Sequence, residues 1–142
     1  MAYITQTDLT GKIEARLINQ ALDDDGDGEA DPGAWDRLYA AVEVAINGAL
    51  AARYDVRAFR QPYPAAIVDF ALTLAAEAIY ARRGMTGDAN PWKKPADMSR
   101  DRLEQIRIGK EFLSLDTQPA DSGGMVVTVP SPLNSDPGRM MM

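Results

Sequence analysis

The sequence predicts an all-α protein: a compact bundle of about four helices with an extended C-terminal arm carrying a short β-strand. Three observations predict it. Trp35, Leu38, Val42, Ile46, Leu50 and Tyr54 recur at steps of three and four residues, the spacing of one face of a helix. Residues 65–82 are apolar on nearly every side, as in a helix enclosed by other helices. Beyond Leu115 the helical period stops, and residues 117–142 carry four prolines and three glycines. With 142 residues, 46 % of them hydrophobic, the chain has the size of one globular domain. We divide it into a helical domain over residues 1–115 and an arm over residues 116–142.

Thr5 followed three residues later by Asp8 has the form of a capping box, with Asp in the place of the usual Glu. Leu9, Ile13, Leu17, Ile18, Ala21 and Leu22 then recur at near-helical spacing, so one or two short helices are expected over residues 6–22, broken at Gly11. Residues 23–31 hold six carboxylates and two glycines, whose mutual repulsion on a helix face requires a loop. Asp31 and Pro32 read as the N-cap and first residue of the next helix. That helix runs to about Arg53 and is rich in alanine, which favours helix and lets a neighbour approach closely.

A connector over residues 55–61 leads to Pro62 and Pro64, and the apolar helix follows. Its polar residues Asp69, Thr73 and Glu77 lie four apart and form one thin stripe. Such a helix is either the buried centre of a bundle or is covered by another subunit. Residues 83–97, with Gly84, Gly87, Pro91 and Pro95, read as a loop. Asp97 or Ser99 then caps a last helix over about residues 100–113, with Leu103, Ile106 and Phe112 or Leu113 inward. In the arm, Met125, Val126, Val127, Thr128 and Val129 form a β-prone run between glycines and Pro130. A lone strand is marginal in water, so this run needs a sheet edge or a partner chain.

Composition excludes much chemistry. There is no cysteine and no histidine, which removes disulfides, zinc sites of Cys or His, and His-dependent nucleophiles. Asp69 and Glu77 are about 12 Å apart by helical rise, too far for a paired acid and base. Residues 84–87 (Gly-Met-Thr-Gly) are not a phosphate loop. Trp35 and Trp92 read as core or interface anchors. Nothing here supports an enzyme. Asp69 and Glu77 interrupt the most apolar run, so no membrane span is expected. The first residues lack the basic, apolar pattern of a signal peptide, and a cytoplasm-like compartment follows.

Two charge patterns bear on function. Asp23-x-Asp25-x-Asp27-Gly28-x-x-Asp31 sets carboxylates at positions 1, 3, 5 and 9 of a calcium loop, with glycine at position 6. Position 12, which should hold a bidentate glutamate, is Ala34. The segment is therefore a calcium site one ligand short, or a solvated acidic turn docked on a basic patch. Along the chain, residues 1–36 hold nine acids and two bases, whereas residues 82–110 hold eight bases and four acids. That asymmetry suits attraction within one subunit. It equally suits head-to-tail contact between copies through Arg82, Arg83, Lys93, Lys94, Arg100 and Arg102, the kind of contact that closes into rings. The net charge of −6 disfavours unspecific nucleic-acid binding.

Tyr3-Ile4-Thr5-Gln6-Thr7-Asp8-Leu9, the acidic glycine loop, and Ala51-Ala52-Arg53-Tyr54-Asp55 before a proline-bearing connector together resemble a family of small proteins of Mu-like tailed phages and prophages. The resemblance covers residues 3–115. It implies a head–tail connector (adaptor): a non-enzymatic helical subunit in the virion neck, assembled in the host cytoplasm into a homo-oligomeric ring, dodecameric by analogy, under the portal protein. Such a ring extends the DNA channel without reading sequence, involves no membrane, and receives a downstream neck or tail protein. The portal contact would fall on the arm, through Met125–Val129 and Arg139. No cofactor is implied, calcium at the acidic loop being the one exception. The alternatives are a calcium-binding helical interaction module and a tail-completion protein, for which a strand-rich mixed fold is expected.

Overall fold

A computed structural model describes residues 2–113. The arm, with the strand expected at Met125–Val129 and with Arg139, lies outside the described residues. The described residues form five α-helices: α1 (Gln6–Leu9), α2 (Ala15–Ala21), α3 (Ala34–Leu50), α4 (Ala65–Arg82) and α5 (Lys93–Arg107). Among the described residues no strand is present.

The capping box at the start is real. Thr5 Oγ1 accepts from the Asp8 amide at 3.2 Å, and the Asp8 carboxylate accepts from the Thr5 amide at 2.8 Å. Gly11 falls in the break between α1 and α2, as expected. α3 starts later than its sequence suggests. Its N-cap is Gly33 in the left-handed region, not Asp31. The Asp31 carboxylate turns back into the acidic loop and accepts from the Asp24 amide at 2.9 Å, so it is not available to cap α3.

α4 is the hub. α1 and α2 lie against it, and α3, α4 and α5 pack on one another. Ile67, Phe70, Ala71, Ala75, Ala76 and Ile79 are fully enclosed by this one chain, which settles the two readings of the apolar helix in favour of a bundle centre. Burying a side chain such as Phe70 or Ile79 contributes about 2 kcal/mol. From α3 come Val42, Ile46 and Leu50; from α5 come Ala96, Leu103 and Ile106. Tyr39 is buried where Leu38 was expected, and Leu38 and Trp35 are only half-buried. Of the pair Phe112 and Leu113, Leu113 is the one that turns inward.

α5 is shifted from its expected position by about half a helix. It begins at Lys93 because Pro95 sits in its first turn, where a missing N–H breaks no intrahelical bond. It ends at Arg107, where Gly109 (φ +85°) allows the Lys110 amide to reach the Gln105 carbonyl at 2.8 Å and the Gly109 amide the Ile106 carbonyl at 3.1 Å. Among the described residues no helix is long and apolar enough to cross a membrane.

Candidate cation loop and assembly surfaces

The loop after α2 curls because Gly26 and Gly28 take φ of +78° and +88°. Curling turns backbone amides toward the carboxylates. Asp23 accepts from Gly26 at 2.8 Å, Asp27 at 3.2 Å and Gly28 at 2.8 Å. Asp25 accepts from the Asp27 amide at 3.1 Å, and Asp27 from the Glu29 amide at 2.9 Å. Asp23, Asp25, Asp27 and Asp31 each place one oxygen within 4.8 Å of the others.

Two carboxyls split in acidity as a result. Desolvation pushes Asp23 up, but the amides of Gly28, Gly26 and Asp27 and the Asp25 carboxyl outweigh it and hold Asp23 below its ordinary value. The Asp27 amide pulls Asp25 down, yet the adjacent Asp23, desolvation and the charges of Asp27 and Asp31 leave it above its ordinary value. Asp31 Oδ1 is buried without a hydrogen-bond partner. A cluster of this kind favours a hard cation that supplies the missing positive charge.

Most of the six basic residues singled out from the sequence are engaged within the subunit. Arg82 fastens the acidic loop: its Nε donates to the Ala21 carbonyl at 2.8 Å and its Nη2 to Asp24 at 2.6 Å. Attraction within the subunit therefore accounts for part of the charge pattern. Arg83 stacks above Tyr80, 5.9 Å from the ring centre. Lys93 pairs with Asp97 at 2.8 Å, and Arg100 joins that Asp97 to Glu77, so the polar stripe of α4 meets α5 at Glu77. Arg102 pairs with Glu111 at 2.7 Å and stacks 5.1 Å above the Phe70 ring. Lys94 makes no ion pair among the described residues.

The segments that carry the family resemblance tie distant elements together. The Tyr3 amide donates to the Tyr39 hydroxyl at 2.7 Å, the Tyr3 hydroxyl donates to Asn47 at 2.5 Å, and its ring meets Tyr63 edge-on at 5.1 Å. Arg53 donates to the Arg107 carbonyl, Tyr54 accepts from the Leu113 amide at 2.9 Å, and Asp55 caps a short 3₁₀ turn by accepting from Arg57. These residues hold the architecture.

Sequence reasoning missed a surface on the outer side of α3. A groove of about 640 Å³ lies there, lined by Ala2, Asp36, Tyr39, Ala40, Glu43, Val44, Asn47 and Gly48. Val44 is 72 % exposed beside it. The available signal was Val44 itself, an apolar residue opposite the buried stripe among small residues.

Comparison with known proteins gives one family. The family model described as Bacteriophage Mu, Gp36 matches residues 3–129. Among curated proteins and among solved structures nothing matches.

Proposed function

Because the chain belongs to the bacteriophage Mu Gp36 family, we propose that it is a head–tail adaptor, a non-enzymatic subunit that assembles as a ring between the portal and the tail. The observation that carries this reading is the match across residues 3–129, which spans the helical domain and reaches into the arm. The geometry supports it in a second way. Conspicuous polar and aromatic residues such as Tyr3, Arg53, Tyr54 and Arg82 are spent on joining helices, as suits a rigid building block.

On this reading the ring, of twelve copies by analogy, stands in the virion neck after assembly in the host cytoplasm. Met125–Val129 and Arg139 engage the portal, a neck or tail protein binds the opposite side, and DNA passes through without sequence recognition. An acidic surface repels phosphates and lets a duplex slide. A helical domain supports an adaptor over a tail-completion protein, for which strands were expected. Cryo-electron microscopy of isolated necks tests the proposal. Density for α1 to α5 repeated around the axis below the portal is the expected result; this chain located in the tail tube or absent from the particle overturns it.

A second reading, compatible with the first, is calcium binding by Asp23, Asp25, Asp27 and Asp31. It is favoured by the unpartnered Asp31 Oδ1 within a ligand set of the right type.

A further inference from the structure

Folding pairs five of the eight bases between residues 82 and 110 with acids of the same chain: Arg82, Lys93, Arg100, Arg102 and Arg107. Of the bases between residues 82 and 110, Arg82 alone reaches an acid of the N-terminal third among the described residues, at Asp24. The other ion pairs of that basic segment stay within α4, α5 and the turn after α5. Lys94 on α5 and Asp36 and Glu43 on α3 take part in no ion pair among the described residues, so these charges remain available to meet across two molecules.

Two exposed features complement each other in shape and charge. On α3, the groove is lined by the small or apolar residues Ala40, Val44 and Gly48 together with the carboxylates of Asp36 and Glu43. On α5, Lys94 and Met98 stand one turn apart on the same side, both exposed, with Met98 61 % accessible. Small residues at the groove let a second helix approach to about 8 Å. A methionine side chain adapts to an irregular apolar surface, and an ammonium one turn away complements the carboxylates of the lining.

We propose that the α3 groove of one copy receives the Lys94–Met98 edge of α5 from a second copy. The two halves belong to different helices, α3 and α5, and a head-to-tail contact through them propagates and closes into a ring where the rotation allows. This rests on the adaptor reading and names the subunit surfaces that reading needs.

The absence of cysteine makes the test clean. Differently tagged Val44→Cys and Met98→Cys copies of the full chain are mixed and mildly oxidised, both free at high concentration and bound to purified portal rings. The expected product is a mixed disulfide dimer, and the Val44→Cys, Met98→Cys double variant gives a ladder of higher species. Lys94→Glu should reduce the mixed product several-fold, and Asp36→Lys on the groove copy should restore it. No mixed product in either setting, or a Val44→Cys homodimer in its place, overturns the proposal. A ring on the portal without the mixed product refutes these surfaces and leaves the adaptor reading standing. The mixed product from a chain that never binds portal does the reverse.

Discussion

Arg53 Nε donates to the Arg107 carbonyl at 3.2 Å, which fastens the turn after α3 to the C-terminal end of α5. The guanidinium thereby supplies a donor and a positive charge where α5 exposes unpaired carbonyls and the negative end of its dipole. The approach is close enough that a Cβ on Gly109 would stand 2.7 Å from Arg53 Nη2.

Gly109→Ala is therefore expected to destabilise by two separable effects. Alanine at φ +85° costs about 1–2 kcal/mol in any context, and its methyl displaces Arg53. Arg53→Ala alone loses a partly exposed cap, about 0.5–1 kcal/mol. In the double variant the steric part vanishes while the backbone part stays. Urea denaturation of the four proteins measures this, and strictly additive losses would show that Arg53 does not hold the position described.

The centre of the bundle gives a larger effect. Phe70 is fully buried on α4 and carries the Arg102 guanidinium above its ring. Phe70→Ala is expected to cost about 3–5 kcal/mol, a large share of the stability of a domain this size. Val44→Ala on the exposed side of α3 should stay within about 0.5 kcal/mol. Comparable losses at the two sites, read as shifts of the thermal midpoint, would mean that α4 is not enclosed by its own chain.

These expectations mark where the sequence was legible. Hydrophobic spacing located α3, the centre helix and the Gly11 break, because burial of a face at a 3.6-residue period is a local pattern. It failed at Pro95, read as a breaker although a first-turn proline removes no hydrogen bond. It failed again at Asp31, whose side chain served the acidic loop and left Gly33 to start α3. The capping role of Arg53 left no local signal, since it depends on a partner more than fifty residues away. The spacing of Asp23, Asp25, Asp27 and Asp31 marks the residues whose oxygens come within 4.8 Å of one another, whereas the buried Oδ1 of Asp31 required coordinates.

Alkaline pH provides a third measurement. Burial first, and then nearby Glu43, push Tyr3 and Tyr39 up to about 12 from an ordinary value of 10.0. Between those values the unfolded chain releases phenolic protons that the folded chain retains. The stabilisation is thus complete below pH 10 and is lost as pH rises through 12. Denaturation midpoints should fall steadily across that window, and Tyr3→Phe should flatten the fall while lowering stability at neutral pH through loss of the Asn47 contact. An unchanged slope in Tyr3→Phe would place its ionisation elsewhere.

The acidic loop is tested by its cation. Asp23, Asp25, Asp27 and Asp31 bring four oxygens together, but Ala34 stands where a bidentate glutamate would complete the set, so affinity should fall at the weak, millimolar end of the calcium range. Binding to the folded chain alone must raise the thermal midpoint as calcium is added. Asp31→Asn keeps the acceptor for the Asp24 amide and removes one charge, and it should abolish the rise while leaving the calcium-free midpoint nearly unchanged. Because Asp25 is held above its ordinary value, protons compete with the ion, and the response should fade as pH falls through that group's titration. Arg82 bonds Asp24 and the Ala21 carbonyl at the loop's edge, so the calcium effect should weaken when Arg82→Ala frees the loop. Titration calorimetry without heat at millimolar calcium, together with an unmoved midpoint, would leave this loop as a solvated turn anchored by Arg82.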